Sequence, residues 1–393
     1  NDGCVVARSA EAKRLGVKAG TPFYQLRQLF PNERIEALSS NYELYGEITG
    51  RVMTIIRDMA PQCFRYSIDE AFAVLDGFSV EQLKEWGEEL HRRVLQSVGM
   101  PLTIGIAPTK TLAKMASHFA KKYAGYNHCC VIDTDDRRLK AAALYPIGEV
   151  WGIGRRYAAR LESYGIRTAY DFAAHSHSWV RATFKTVVVE RTWAELNGTD
   201  CVPDDLPAKK KSICTSRSFG GMVCDFDTLR THVANFAARC AEKLRKQQSA
   251  ASIVGVFVES NRFRPDLTQY CNMTEVNLST PSSSTIEVVK AATACLRRIY
   301  REDIHYKRAG VVLMGVVPNA AVQADLFTFD VEKYQHMMQL DSAVDRINKV
   351  DGTETVILSS QQYPNGRKFA DAIKHDLKSA CPTTRWSDII KLK

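Results

Sequence analysis

The order of elements in residues 213–318 restricts the fold most strongly: strand, helix, strand, strand, helix, strand. Hydrophobic periodicity assigns the strands to "ICTSRSFG", "SIVGVFVES", "MTEVNLS" and "RAGVVLMGVV". It assigns the helices to "FDTLRTHVANFAARCAEKLRKQQ" and "TIEVVKAATACLRRIYR". This order predicts a compact α+β module of βαββαβ type.

The residues before this module follow two other patterns. Up to about residue 145, short strands and amphipathic helices alternate, which favours α/β structure with a mixed sheet. Here we expect strands at "VVAR" and "RIEALSS", a helix after Ser9 that ends at Gly16, and a helix over 41–59. From Pro146 to about Leu206 the pattern is all-helical, and a basic linker, "PAKKKS", follows. A chain of 393 residues is too long to fold around a single hydrophobic core, so we expect two to four domains.

Composition narrows the class of protein. With 45% hydrophobic and 25% charged residues, the chain is typical of globular proteins rather than disordered ones. No apolar run reaches the roughly 18 residues of a membrane span, so we expect no membrane partner. Eleven cysteines without a C-x-x-C pair indicate reduced thiols and a cytoplasmic location. The net charge of +9 lies in residues 1–320, because the remainder has ten basic and ten acidic residues. Such a basic body suits a polyanionic partner.

The acidic pair Asp69-Glu70, in "YSIDEAF", lies between two apolar stretches. Neighbouring side chains of a regular strand point to opposite faces, so both carboxylates reach one ion only at a turn or bulge. We therefore expect a hairpin with its turn near Ile68-Asp69. Paired carboxylates there suit Mg²⁺, and two such ions about 4 Å apart would activate a hydroxyl group and stabilise a leaving pyrophosphate. The alternative is a solvated acidic turn.

A second motif, "VWGIGRRYAARLESYGI", resembles a helix-hairpin-helix. The backbone N–H groups of Gly152 and Gly154 could hold a DNA phosphate without selecting a base sequence. Arg155, Arg156 and Arg160 would add positive charge around that phosphate. The alternative is an ordinary turn between two helices, in which the glycines allow tight packing.

Three lysines follow "TIGIAPTKT" at intervals of four and seven residues: Lys110, Lys114 and Lys121. This spacing predicts that they share one helix face. A solvated charged face is one explanation, and a site for a triphosphate opposite the metal ions is the other.

Taken together, these stretches resemble the Y family of translesion DNA polymerases, in the branch of UmuC, the catalytic subunit of DNA polymerase V, and its plasmid-borne relatives. The resemblance rests on segments that occur in the family's order through most of the chain. They are "NDGCVVARSAEAKRLGVKAG", "SSNYELYGE", "YSIDEAF", "GIAPTKTLAKMASHFAKK", "VWGIGRR" and "SRSFG".

The resemblance implies a multidomain α+β fold arranged as a right-hand polymerase. Its parts would be small fingers (1–38), a mixed-sheet palm (39–145), a helical thumb with the helix-hairpin-helix (146–208), a βαββαβ little finger (209–318) and a tail (319–393).

The resemblance also implies error-prone DNA synthesis past lesions, as in SOS mutagenesis, from dNTPs on primer-template DNA with two Mg²⁺ ions per active site. Asp69 would bind both ions, and Glu70 would bind the ion that activates the primer 3′-hydroxyl. Lys121 matches the family's triphosphate-contacting palm lysine. Arg217 and Ser218 lie on the first little-finger strand, where the family contacts template phosphates.

This sequence departs from the family in two places. The family's first palm strand, which carries another metal-binding Asp and an aromatic sugar-selecting residue, has no counterpart here. Because the sequence opens at Asn1 rather than Met, we expect that a segment precedes it. In the fingers, many members place Tyr and Arg on the triphosphate, whereas Ala10 and Lys13 stand here. We expect Lys13 and Arg8 to contact the triphosphate.

The tail contains "QADLF", residues 323–327, which resembles the short motif by which bacterial polymerases bind the sliding clamp. Leu326 and Phe327 would enter an apolar pocket, with Gln323 hydrogen-bonding nearby. By the same resemblance, a UmuD-type accessory dimer and RecA are expected partners.

Two other functions stay open at this point. A non-catalytic DNA- and clamp-binding protein would accommodate the absent palm strand. A helix-hairpin-helix nuclease or lyase would leave the βαββαβ module and the Asp-Glu hairpin unexplained.

Overall fold

The computed structural model describes residues 3–204, 209–321, 330–352, 354–362, 377–383 and 385–389. They form two compact units. The N-terminal unit contains the described residues from 3 to 204 together with those from 377 to 389, and the C-terminal unit contains those from 209 to 362. No helix in the described ranges is both long and apolar enough to cross a bilayer.

The N-terminal unit is mostly helical. Its helices are α1 (Ala10–Arg14), α2 (Phe23–Leu29), α3 (Tyr42–Met59), α4 (Val80–Val98), α5 (Lys110–Lys122), α6 (Asp135–Leu144), α7 (Arg155–Ser163), α8 (Ala169–Ala173), α9 (His177–Phe184) and α10 (Val187–Leu196). Its strands are β1 (Gln62–Arg65), β2 (Ala71–Val74), β3 (Ile104–Ile106) and β4 (Cys129–Val131).

The first residues of this unit agree only in part with the sequence-based predictions. The helix after Ser9 is confirmed: the Ser9 hydroxyl accepts a hydrogen bond from the Ala12 N–H group, and the chain turns at Gly16 with φ +86°. The strands predicted at "VVAR" and "RIEALSS" are wrong. Among the described residues, pairing here is limited to isolated bridges, Cys4 with Pro22 beside the first segment and Ser39 with Lys378 in the second. Neither segment forms the continuous ladder of backbone hydrogen bonds that defines a strand.

The predicted hairpin is confirmed. Strands β1 and β2 pair antiparallel, with Arg65 opposite Ala71. Strands β3 and β4 pair in parallel as a separate two-stranded sheet, so this region contains both kinds of pairing. Helices α3 and α4 pack with β3 around Met53, Leu90 and Val94.

A second core runs from α5 through β4 and α6 into the helices of the predicted thumb. Leu112 and Met115 of α5 belong to the same buried cluster as Leu161, Phe172 and Leu196. Burial of each such large apolar side chain stabilises the folded state by about 1.5–3 kcal/mol. Helix α5 is therefore the element on which the regions before and after it are both packed.

The C-terminal unit confirms the predicted βαββαβ order. Its elements are β5 (Ile213–Val223), α11 (Phe226–Lys246), β6 (Ser249–Ser260), β7 (Cys271–Ser282), α12 (Thr285–Ile299), β8 (Tyr306–Pro318) and α13 (Val331–Val350). The sheet order is β5-β8-β6-β7, and every pair is antiparallel. Both α11 and α12 contribute buried residues to the core of this module.

Helix α13 is joined to the module by ion pairs to a largely buried arginine. Arg245, in the last turn of α11, donates from Nε and Nη2 to the two carboxylate oxygens of Asp345 at 2.7 Å each. Asp341 lies 3.4 Å from the same guanidinium and accepts from the Thr285 N–H group. Two-point pairing of a guanidinium with a carboxylate fixes orientation as well as distance.

The last described segment, 377–389, packs on the start of α3. Ser39 and Leu377 exchange hydrogen bonds at 3.1 Å. Asn41, the fully buried N-cap of α3, donates to Ser379 and contacts Cys381, which is also buried. The sequence analysis missed this contact, because no local pattern pairs residues separated by more than 330 positions.

Gly105 provides a test of how α5 is seated on β3. A methyl group there would overlap the backbone of Ala113 and Ser117. We expect Gly105→Ala to destabilise the N-terminal unit by at least about 2 kcal/mol, because a packed backbone cannot move aside. Thermal unfolding followed by circular dichroism would measure this loss.

Gly125→Ala is the matched control, since a methyl group at Gly125 meets open space. Equal melting temperatures for the two variants would contradict the described packing of α5.

Candidate active site

Asp69 and Glu70 lie in the turn that joins β1 to β2, and both are exposed. The N–H groups of Tyr66 and Ser67 both donate to the Glu70 carbonyl oxygen, at 3.0 and 3.1 Å, which closes the turn. The Ser67 hydroxyl donates to Asp69 Oδ1 at 2.7 Å. The turn therefore allows adjacent carboxylates, which a flat strand would separate, to be solvent-accessible together.

The chemistry of this pair suits a magnesium ion. Carboxylate oxygens are hard ligands, and exposed ones leave room for the phosphate and water oxygens that Mg²⁺ usually keeps. Within the described ranges, no group of three or more His, Cys, Asp or Glu residues comes together to hold a metal. Asp69 and Glu70 are the residues that we propose for this role.

Glu70 pairs with a lysine surrounded by aromatic rings. Lys114 Nζ, on α5, lies 2.9 Å from Glu70 Oε1. It also lies 4.8 Å from the ring centre of Tyr66, 5.4 Å from that of Trp151 and 6.0 Å from that of Phe72. A cation over a ring is attracted by about 0.5–2 kcal/mol. We call Tyr66, Phe72 and Trp151 the aromatic cage.

The cage is held by its own contacts. The rings of Tyr66 and Trp151 meet edge to face at 5.5 Å, and Trp151 Nε1 donates to the Tyr66 hydroxyl at 3.1 Å. Phe72 lies 5.6 Å from Tyr66 and 5.8 Å from Trp151. Each such pair adds about 0.5–1.5 kcal/mol beyond area burial. The position of the Lys114 ammonium is therefore defined by both sides of the hairpin and by the turn before Gly152.

The amino end of α5 is fixed by a buried carboxylate. Glu195 is fully buried and accepts from the N–H groups of Thr111, Cys201 and Val202 at 2.8–3.1 Å. The Thr109 hydroxyl donates to the Glu195 carbonyl oxygen at 3.0 Å. A buried carboxylate is tolerated when such donors and a helix amino terminus compensate for its lost hydration.

Lys110 adds an ion pair to this junction. Its ammonium donates to the Val202 carbonyl oxygen at 2.7 Å and lies 3.0 Å from Asp204 and 3.6 Å from Asp200. Burial alone would lower the pKa of Lys110, but these neighbouring acids outweigh burial and raise it. Burial raises the pKa of Asp200, and the nearby Glu195 raises it further, against the opposing charge of Lys110. Lys110 thus stays charged, with Asp204 as its closer partner.

The three lysines of α5 have different environments. Lys110 is bound at the junction with residues 195–204, Lys114 lies in the aromatic cage, and Lys121 is exposed in the last turn. The repeated spacing indicated one common role for them. Tertiary neighbours, which the spacing does not encode, give each a separate role.

The two residues proposed to contact the triphosphate from the fingers differ in how far their side chains are held in place. Arg8 is half-buried and donates to the Val17 carbonyl oxygen at 3.1 Å. Lys13 is exposed on α1. Arg8 is thus oriented by its own segment, whereas Lys13 projects into solvent.

The two glycines of the predicted helix-hairpin-helix have different structural roles. Gly152 has φ +89°, and a methyl group on it would overlap the Thr192 side chain. Gly154 is the N-cap of α7, and a methyl group on it would meet open space. Gly154, Arg155 and Arg156 are all exposed. Packing explains the glycine at 152 but gives no reason for the one at 154.

The predicted template contacts of the C-terminal unit lie on β5, an outer strand of its sheet. Arg217 is half-buried opposite Ala309, and Ser218 is exposed opposite Arg308. Arg308 donates to the neighbouring Ser216 hydroxyl at 3.1 Å. The strand thus presents polar and basic groups at one edge of the sheet. The predicted clamp-binding residues Gln323, Leu326 and Phe327 lie outside the described residues.

The sequence analysis missed the aromatic cage. It grouped Lys114 with the other lysines, and it interpreted Tyr66 and Phe72 as part of the apolar context of the acidic pair. The available signal was an aromatic residue on each side of Asp69-Glu70 and a third immediately before Gly152.

Comparison with protein families places the chain. Residues 1–118 match the model of the impB/mucB/samB family, and residues 210–326 match the model of that family's C-terminal domain. Protein UmuC of Salmonella typhimurium is 37% identical over 397 residues, which cover 100% of this chain and 92% of that protein. The chain belongs to the impB/mucB/samB family. Residues 338–392 match a domain of unknown function.

Two further relatives are similar to this chain over most of its length. Protein ImpB of Salmonella typhimurium is 34% identical over 99% of this chain and 91% of its own length. DNA polymerase IV of Dehalococcoides mccartyi (strain CBDB1) is 26% identical over 90% of this chain and 87% of its own length.

Solved structures identify the fold. A Y-family polymerase chimera of Dbh and Dpo4 matches with a TM-score of 0.60 at 20% identity, over 80% of this chain and 91% of its own. The fold is that of Y-family polymerases, so the resemblance and fold class stated from the sequence are confirmed. The expected enzyme class, DNA-directed DNA polymerase, agrees with these relatives.

The two glycines give a prediction with an internal control. Gly152→Ala should destabilise the N-terminal unit by about 1–3 kcal/mol, because it combines positive φ with overlap at Thr192. Gly154→Ala should cost at most about 1 kcal/mol, the usual effect of alanine at an N-cap. If a phosphate approaches the Gly154 backbone closely, the methyl group of Gly154→Ala would obstruct that approach, although the N–H group remains, and should weaken binding of primer-template DNA roughly fivefold.

Thermal melts and fluorescence anisotropy of labelled DNA measure the two effects separately. Unchanged DNA affinity in Gly154→Ala would remove this glycine from the proposed DNA-binding surface.

Proposed function

We propose that the protein is a DNA polymerase that copies damaged templates with low fidelity, by metal-dependent transfer of nucleotides to a primer. The main observation in support is the exposed Asp69-Glu70 pair, held by Ser67 and Lys114 at a hairpin turn. The Y-family fold and relatives named UmuC and DNA polymerase IV favour the same activity.

In this proposal, Asp69 and Glu70 hold two Mg²⁺ ions. When bound, the ions would activate the primer 3′-hydroxyl and stabilise the charge of the leaving pyrophosphate. The Ser67 hydroxyl orients Asp69, and the Lys114 ammonium orients Glu70. Arg8, Lys13 and Lys121 would bind the triphosphate of the incoming dNTP.

We further propose that DNA is bound through its phosphates. Gly154, Arg155 and Arg156 would contact the duplex, with Gly152 shaping the turn that precedes them. Arg217 and Ser218 of β5 would contact the template strand. Because such contacts release counterions, affinity should fall steeply with salt and depend little on base sequence.

The proposed division follows the family: fingers 1–38, palm 39–145, thumb 146–208, little finger 209–318 and tail 319–393. From the family likeness, the proposed partners are the sliding clamp, a UmuD-type accessory dimer and RecA, and the proposed setting is SOS mutagenesis in the bacterial cytoplasm.

The catalytic proposal is tested with Asp69→Asn in the full-length protein. We expect primer extension to fall by at least about two orders of magnitude, because one ligand charge is lost where charge develops in the transition state. Binding of primer-template DNA should stay within about twofold, since phosphates are bound elsewhere. A gel-based extension assay and anisotropy measure the two properties.

Asp136→Asn is the control for removal of a carboxylate, because Asp136 pairs with Lys140 on the exposed face of α6. Extension by Asp69→Asn at the control's rate would exclude Asp69 as a metal ligand. Absence of extension by the wild type and the control would instead favour a non-catalytic DNA-binding role.

The clamp proposal predicts that Leu326→Ala combined with Phe327→Ala abolishes capture of the purified sliding clamp. Two apolar anchors would be lost, each worth about 2 kcal/mol when buried. Phe329→Ala is a matched control two residues further along the chain. Clamp capture that survives the double substitution would place the contact elsewhere.

A further inference from the structure

Lys114 differs from an ordinary surface lysine in what holds it. Its side chain is 24% exposed, and its ammonium lies beside one carboxylate and three aromatic rings. Most exposed lysine–carboxylate pairs contribute little, because both side chains must be ordered to form them. Here the cage already orders the lysine, so the ion pair costs less conformational entropy to form.

The carboxylate that it meets is Glu70, a proposed metal ligand, which is 49% exposed. Within the described hydrogen bonds and ion pairs of its side chain, Glu70 contacts Lys114, while Asp69 is oriented by the Ser67 hydroxyl. Asp69 and Glu70 therefore have different hydrogen-bond donors. One accepts from a neutral hydroxyl of its own turn, and the other from a cation supplied by α5.

We propose that Lys114 is a positioning residue that stands in for a metal ion at Glu70. The caged ammonium neutralises and orients this carboxylate before a metal binds, and it then competes with the metal for Glu70. This inference rests on the proposed function, because it requires Glu70 to be a metal ligand.

The proposal has two consequences of opposite sign. Because a positive charge close to a divalent cation site disfavours the cation, removal of the ammonium should tighten metal binding. Because the same ammonium orients Glu70, its removal should also slow catalysis, which depends on ligand geometry to within fractions of an ångström. If the lysine only filled space in the cage, its loss would loosen the site and weaken both metal binding and catalysis, so the direction of the change in metal affinity separates the two roles.

The test measures metal binding without turnover. The full-length protein is bound to primer-template DNA with a dideoxy-terminated primer and the matching dNTP, and Mn²⁺ is titrated by electron paramagnetic resonance. Lys114→Met keeps the unbranched apolar stem without the charge, and it should bind Mn²⁺ about three- to tenfold more tightly than the wild type. With an extendable primer and saturating metal, its single-turnover rate should fall at least about tenfold.

Three further variants make the result specific. Lys114→Arg keeps the charge, so its Mn²⁺ affinity should return to within about twofold of the wild-type value. Lys114→Gln is a second neutral variant, in case methionine disturbs the rings, and it too should bind Mn²⁺ more tightly. Lys140→Met removes an exposed lysine that pairs with Asp136, and it should change neither property.

Unchanged or weaker Mn²⁺ binding in both neutral variants would overturn the role of Lys114. Asp69→Asn in the same titration distinguishes this failure from failure of the proposed function. If Asp69→Asn binds as much Mn²⁺ as the wild type does, the proposed metal site is absent and the proposed function fails. If that site is present but insensitive to Lys114, only the present inference fails.

Discussion

The buried carboxylate of Glu195 holds together the region in which the candidate site lies. Three backbone N–H groups and the amino end of α5 compensate for its burial, and two of those N–H groups belong to the segment that follows α10. Loss of such donors would leave an unpaired buried charge, at a cost of several kcal/mol. Together with the packing of α5 on β3 and in the second core, this contact fixes the amino end of the helix that carries Lys110 and Lys114.

Helix α5 carries two lysines that link this junction to the candidate metal ligands. Lys110 strengthens the junction at its first turn, and Lys114, one turn later, reaches Glu70. Trp151, a wall of the aromatic cage, directly precedes Gly152 of the proposed phosphate-binding turn. A shift of that turn would therefore move Trp151 and change the position of the Lys114 ammonium beside Glu70. The metal ligands and the DNA-binding surface that we propose share this physical link.

The tail contributes to both compact units. Helix α13 is held in the C-terminal unit by the ion pairs of Arg245, whereas residues 377–389 pack on α3 of the N-terminal unit, where Asn41 and Cys381 are both buried. Lys378, through a hydrogen bond, and Arg385, through its charge, hold the pKa of Glu43 below its usual value. The described residues of the matched domain of unknown function, 338–392, thus pack in two places, one in each compact unit.

The sequence by itself determined those features whose cause is local. Apolar periodicity located α3 and the whole βαββαβ module, and the acidic pair between apolar stretches located the hairpin turn. Strands at "VVAR" and "RIEALSS" were wrong because a strand needs a partner that pairs along its length, whereas these segments form only isolated bridges. Only the tertiary structure decided that Glu195 would bind the start of α5 and that Lys114 would meet Glu70 inside three rings. These contacts join residues 84 and 44 positions apart, and their energies arise from burial and charge proximity, which exist only once the chain has folded.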